Sequence, residues 1–203
     1  IIEGIQGVGG VHVPEAGFLK LLREKCTEHG SVLILDEIQS GYGRSGYFFA
    51  HQYAGIKADL ITVAKGMGNG FPVAGVLINP MFKAKYGLLG TTFGGNYLAC
   101  AAAIAVLDVI ADEKLIDNAR ETGNYLMQQL AHFDEVKEIR GLGMMVGIEL
   151  HQPADAIRKY LLAEHNMFTG SASNKNTLRI LPPLTITKAE VDLFLTAFQS
   201  SLK

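Results

Sequence analysis

Two short apolar runs, Val32-Leu33-Ile34-Leu35 and Leu60-Ile61-Thr62-Val63, are each followed within two residues by a charge of opposite sign, Asp36 and Lys65. Runs of this length with little polar interruption are expected of strands covered on both faces of a parallel sheet. A charge delivered at the end of a buried strand is costly unless something there needs it. Opposite charges at two such ends predict a ligand lying across the carboxyl ends of an open α/β sheet. The stretch from Ser31 to Gly68 is therefore the candidate wall of a binding site.

The rest of the chain supports an α/β reading. Ile1 to Ile5 predicts a strand running into the glycine turn Gln6-Gly7-Val8-Gly9-Gly10. Pro14 follows and no helix opens from the glycines, so the turn fits tight packing better than a phosphate loop. Apolar spacing predicts helices over Glu15 to His29, Tyr97 to Ala111 and Leu115 to Phe133, with Gly30 past the end of the first and Asn96 capping the second. Tyr47 to Tyr53 predicts a short helix, and Val73 to Ile78 a third strand. Beyond about residue 112 the pattern changes. Val136–Arg140 and Met144–Leu150 predict paired strands, Ala154 to His165 a helix and Thr177–Ile180 a strand. Thr187-Lys188-Ala189-Glu190 is a capping box for a last helix to about Leu202. The expected organisation is part of a large domain over 1–112 and a small α+β domain over 113–203.

Composition narrows the classes. A net charge of -2 gives no electrostatic case for nucleic acid or an anionic membrane. No apolar run approaches the roughly 20 residues needed to span a bilayer. The histidines are scattered without metal-ligand spacing. Cys26 and Cys100 sit in apolar helical patterns and read as buried thiols, which favours a reducing, cytoplasmic setting. The opening at Ile1-Ile2-Glu3, without methionine, leads us to expect part of a longer protein.

A lysine flanked by Ala64 and Gly66 can approach a planar ring, and its amine, once deprotonated, can form a Schiff base. An aspartate on the neighbouring strand can pair with a protonated pyridine nitrogen, the pairing that pyridoxal phosphate requires. Either charge alone fits a solvated loop, a helix cap or a magnesium ligand. The two together, beside glycine loops, raise the cofactor reading. Neither glycine loop carries Gly-Lys-Ser/Thr, which argues against a nucleotide loop.

Here the residues become specific. Asp36-Glu37-Ile38-Gln39-Ser40-Gly41-Tyr42-Gly43-Arg44-Ser45-Gly46 resembles the signature of the class III, ornithine-type aminotransferases of fold type I. Ile2-Glu3-Gly4-Ile5-Gln6-Gly7, Ala64-Lys65-Gly66, Thr91-Thr92-Phe93-Gly94-Gly95-Asn96, Arg140-Gly141-Leu142-Gly143 and Leu178-Arg179-Ile180-Leu181-Pro182-Pro183-Leu184 resemble that family in the same order. The resemblance covers the whole chain, as the family's second half, and is nearest to the acylornithine enzymes of arginine biosynthesis.

The resemblance implies pyridoxal 5'-phosphate as cofactor, with Lys65 as its lysine and proton-moving base and Asp36 on the ring nitrogen. Gln39 would hydrogen-bond the phenolic oxygen, Ile38 pack on the ring and Glu3 lie nearby. Thr92, with Thr91 beside it, would reach the cofactor phosphate of a neighbouring subunit, implying a homodimer with shared sites. Arg179 would bind the α-carboxylate of glutamate or 2-oxoglutarate as a bidentate donor. Arg44 and Arg140 are read as structural. The amino donor implied is an N-acylornithine, with ornithine, 4-aminobutyrate or another ω-amine as alternatives. A binding protein that keeps the fold without chemistry is the rival class. Val8 stands where many relatives carry glutamate, so substrate switching must differ here. Without the family's first half, the site is expected to be incomplete and core surface exposed.

Overall fold

The computed structural model describes residues 1–202, which form two four-stranded sheets. In the first, β1 (Ile2–Glu3), β2 (Ile34–Asp36), β3 (Leu60–Val63) and β4 (Gly75–Ile78) lie in that order. β1, β2 and β3 run parallel, while β4 returns antiparallel to β3. The connections explain the directions. Helix α1 (Ala16–Glu28) carries the chain from β1 back to the start of β2, and a segment containing a 3-10 turn at Ala50–Ala54 does so from β2 to β3. Between β3 and β4 there is only a loop with one 3-10 turn at Lys65–Met67, too little for a crossover, so the chain doubles back.

Local chemistry sets the boundaries. The β2 strand starts later than its apolar run because Leu33 N–H donates to the Asp59 carboxylate at 2.7 Å, and it extends through Asp36. The first expected strand shortens to β1 because the chain turns at once into the glycine segment, where Gln6 and His12 form an isolated bridge. Helix α1 ends at Gly30, whose φ of +64° is a left-handed value that glycine adopts without penalty. It buries Leu19 against Leu33, Leu35, Ala54 and Ile56.

Helix α2 (Tyr97–Asp112) is capped as expected, Asn96 Oδ1 accepting from Ala99 N–H at 2.9 Å. The cysteines depart from expectation: Cys26 is half-buried and Cys100 exposed. For Cys100 the reason is that α2 is apolar around most of its circumference, so its sequence does not mark which face is covered. Only Ala99 and Ile110 are buried.

The second sheet has the order β5 (Val136–Leu142), β6 (Met145–Leu150), β8 (Thr177–Ile180), β7 (Gly170–Ser171), antiparallel throughout. Helices α3 (Leu115–Leu130), α4 (Asp155–His165) and α5 (Lys188–Ser201) contribute Leu126, Leu161 and Phe198 to a core shared with Ile148 and Leu178. The capping box at α5 forms as its sequence predicts, with Thr187 and Glu190 each bonding the other's backbone N–H.

The two halves touch closely. Leu115, at the start of α3, joins Tyr42, Val63 and Ile110 in one buried cluster. Arg44 donates to the carbonyls of Met144 and Pro182, and Arg140 donates to Gly10 O at 3.2 Å and to Glu149 at 2.7 Å. Both arginines fasten loops across the two sheets, as structural residues. Among the described residues, no helix is long and apolar enough to cross a membrane.

Candidate active site

The parallel order decides where the charges go. Because β1, β2 and β3 run the same way, Glu3, Asp36 and the turn carrying Lys65 all arrive at the carboxyl edge of the first sheet. Asp36 lies in register with Glu3 on one side and Thr62 on the other.

Lys65 opens the 3-10 turn with a φ of +45°, in the left-handed region. For a non-glycine residue this costs of order 1–3 kcal/mol and persists only where the surroundings enforce it. Met67 N–H bonding to Ala64 O at 3.0 Å and Gly68 N–H to Lys65 O at 3.2 Å enforce it here. Gly66 fits because a Cβ there would come within 3.3 Å of Tyr42 Cβ. The Lys65 side chain is exposed, and among the described residues its amine makes no hydrogen bond or ion pair.

Asp36 is half-buried, with Oδ1 accepting from Ile38 N–H at 3.0 Å, while among the described residues Oδ2 makes no hydrogen bond. Glu3 accepts from Gly7 N–H at 3.0 Å and closes the glycine turn. A side chain at Gly7 would displace the Gln39 amide, since a Cβ there would lie 2.4 Å from Gln39 Oε1. That same oxygen accepts from Arg179 Nη1 at 3.3 Å, so Gln39 joins the two sheets. Arg179 also donates through Nε to Ser171 O at 2.5 Å. Burial pushes its guanidinium below the ordinary value and the nearby Arg158 adds to this, with Glu3 opposing. A carboxylate arriving there would replace a neutral partner with a charged one.

A cavity of about 830 Å³ opens between the sheets and the flank of α2, lined among others by Gln39, Tyr42, Arg44, Lys65, Phe168 and Arg179. It brings together the lysine, the glutamine and the arginine singled out in the sequence. Asp36, Ile38 and Glu3 stand outside its lining. So do Thr91 and Thr92, which lie on the exposed segment before α2, where Thr91 Oγ1 accepts from Gly94 N–H at 3.1 Å. Val8 is exposed, and its carbonyl accepts from Ser173 N–H at 2.9 Å, close to the hairpin that holds Arg179.

The structure adds features that the sequence reading passed over. Tyr42 lines the cavity at φ +55° with its ring 5.1 Å from Phe48, and burial raises its phenol. Burial also lowers the Arg44 guanidinium to about 10. The two-residue strand β7, which supplies the Ser171 carbonyl, is too short to leave a periodic signal. An unpaired amine, a carboxylate with one open oxygen and a cation placed for a second carboxylate fit a cofactor with an aldehyde and a basic ring nitrogen.

The fold is that of solved aminotransferases. An ornithine δ-aminotransferase of Plasmodium falciparum superposes with a TM-score of 0.90 at 32% identity, covering 99% of this chain and 53% of that one. The acetylornithine aminotransferase of Elizabethkingia anophelis gives 0.89 at 35% identity, covering 98% and 55%. Among curated proteins, the "Ornithine aminotransferase 2" of Staphylococcus aureus MRSA252 is 43% identical over 96% of this chain and 50% of its own length. The acetylornithine aminotransferase of Methanosarcina acetivorans is 39% identical over 95% and 49%. The family model for class III aminotransferases matches residues 1–202, and the chain belongs to that family. Membership implies pyridoxal phosphate, which the residues above fit. The chain spans about half the length of the curated relatives it matches.

Proposed function

We propose that this chain carries the lysine wall of a pyridoxal-phosphate aminotransferase that moves the terminal amino group of an N-acylornithine to 2-oxoglutarate, in arginine biosynthesis. The observation that carries the reading is the meeting of Lys65, Gln39 and Arg179 around one cavity. Bound there, pyridoxal phosphate would supply an aldehyde to take the amino group and a ring to accept the electrons released at the substrate carbon.

The chain's own residues do the rest. Lys65 would be the amine that holds the cofactor's aldehyde carbon and the base that moves a proton at the substrate carbon. Asp36 would pair with the ring nitrogen through its second carboxylate oxygen and favour its protonated form. Gln39 would hydrogen-bond the phenolic oxygen, Ile38 would pack on one ring face and Glu3 would lie nearby. Arg179 exchanges its neutral partners for the α-carboxylate of glutamate or 2-oxoglutarate. Exposure of Thr91 and Thr92 outside the cavity supports a role toward a second subunit's phosphate, hence a homodimer. In this reading residues 1–112 belong to the cofactor-binding large domain and 113–203 form the small one.

The 43% identity to an ornithine aminotransferase favours free ornithine as a second reading of the donor. The experiment is to load the full-length enzyme containing this chain with pyridoxal phosphate, reduce with borohydride and map the pyridoxyl group. Labelling of Lys65 above the other lysines is expected, with loss in Lys65→Ala; uniform labelling of surface lysines overturns the cofactor claim. Half-reactions with N-acetylornithine and ornithine then rank the donors.

A further inference from the structure

Glu37 has no place in the chemistry above, yet it is fully buried, and its neighbour in space, His51, is only 4% exposed. An ionised carboxylate offers about four lone-pair directions, and a buried one is costly unless they are filled. Here they are. Oε2 accepts from Ser40 Oγ–H at 2.5 Å and Ala50 N–H at 3.0 Å. Oε1 accepts from His51 N–H at 3.0 Å and from His51 Nδ1 at 2.7 Å. Since the carboxylate brings only acceptors, Nδ1 carries the proton in this pair. The imidazole is further fixed by stacking on Phe49, centroids 5.7 Å apart. Burial pushes the Glu37 carboxyl up, but the bonds from His51, Ser40 and Ala50 outweigh it and hold the group below its ordinary value.

The backbone of Glu37 is held equally well. Its N–H donates to Thr62 O at 3.0 Å, continuing the ladder with β3, and its carbonyl accepts Gly41 N–H at 3.0 Å. That turn leaves no room: a Cβ on Gly41 would sit 2.8 Å from Glu37 O. So the segment bearing Asp36, Ile38 and Gln39 is fixed by one residue, from below through its side chain and in line through its main chain. Successive residues of an extended strand face opposite ways, which lets Asp36 serve the site while Glu37 grips the protein.

We propose that the buried Glu37–His51 pair is a positioning device for the cofactor-binding carboxylate and amide, setting where Asp36 and Gln39 stand. The inference deepens the functional reading above and rests on it for the cofactor's identity.

Two measurements test it. In the cofactor-free chain, amide exchange reports the anchor directly. Glu37→Gln forces an amide N–H₂ against two donors and is expected to speed exchange at Ile38 and Gly41 about tenfold or more, leaving β6 and α5 unchanged. His51→Leu should do the same, while His51→Asn, which keeps a side-chain N–H, should stay near wild type. Unchanged exchange at Ile38 and Gly41 overturns the proposal, as does an equal rise over the whole chain. If Glu37→Gln does not fold, Ser40→Ala decides, since the anchor requires faster exchange at Gly41 when that donor is lost. The second readout is pyridoxal phosphate itself. Glu37→Gln should bind it about tenfold more weakly and with an altered visible band, and wild-type affinity and spectrum would refute the positioning role. Should the wild-type full-length enzyme containing this chain take up no cofactor, the functional reading fails, while the exchange measurement on the chain still judges the anchor.

Discussion

Strand β6 buries all six of its residues, whereas β4 buries none, with Val76, Leu77 and Ile78 each about half exposed. Both strands are apolar and both pair antiparallel with a neighbour. The difference lies in what covers them. Three helices close over the second sheet, and Phe198 sits at 0% exposure between Phe133 and Phe194. The first sheet is closed by α1 on one side, while β4, the segment after it and much of α2 show apolar side chains to solvent, Leu98 and Ile104 among them. The second sheet is enclosed by its own helices, whereas the first leaves β4 and a flank of α2 uncovered. This matches the expectation that the chain would expose core surface.

The sharpest way to break the comparison is at the open edge of the first sheet. Lys65→Ala should lower transamination at least about 10²–10⁴-fold in the enzyme containing this chain and abolish borohydride labelling at this position, while leaving the thermal unfolding of the second sheet in place. A stability loss of several kcal/mol instead would show that Lys65 is structural.

Next in size is a pair of truncations. Phe198→Ala should cost about 3–5 kcal/mol in denaturant unfolding, because it empties a closed core. Leu77→Ala, at 49% exposure, should cost under about 0.5 kcal/mol. Equal costs would mean that β4 is as enclosed as β6. A smaller effect belongs to the α5 capping box, where Thr187→Ala should cost about 1 kcal/mol by the same measurement.

The mildest probe is pH. Hydrogen bonds from Lys137 and Arg140 hold Glu149 down to about 2, against an ordinary value of 4.5. A carboxyl lowered on folding stabilises the protein above its unfolded value and loses that contribution as pH falls through the folded one. The second sheet should therefore weaken between about pH 4.5 and 2, and Glu149→Gln should flatten that slope in acid titrations followed by circular dichroism. Identical slopes would remove Glu149 from the account.

Much of this was legible in the residues. The strand Thr177–Ile180, the Asn96 cap and the Thr187–Glu190 capping box are local features, written in a few adjacent side chains, and they appear where the sequence predicts them. The charges at Asp36 and Lys65 reach the same edge of the first sheet, as the sequence predicts, because β2 and β3 run parallel and end together. Resemblance to the class III aminotransferases extended that reading to Arg179, which the fold brings to the same cavity as Lys65.

Burial was not legible in the same way. Cys100 and Leu98 lie in a helix apolar on nearly every side, and periodicity marks a face only where the faces differ. The antiparallel return of β4 depended on connection length, and β7 on a single two-residue pairing. Nothing in the residues around Glu37 marks it as buried. Apart from Ser40, its side-chain partners are thirteen and fourteen residues away, and only the packing of the Ala50–Ala54 turn against the end of β2 brings them within hydrogen-bond reach. The sequence determined which groups the chain possesses and which local caps and strands they form. Tertiary structure decided which were desolvated and which met, because burial and long-range hydrogen bonding are properties of the assembled surface, not of neighbours along the chain.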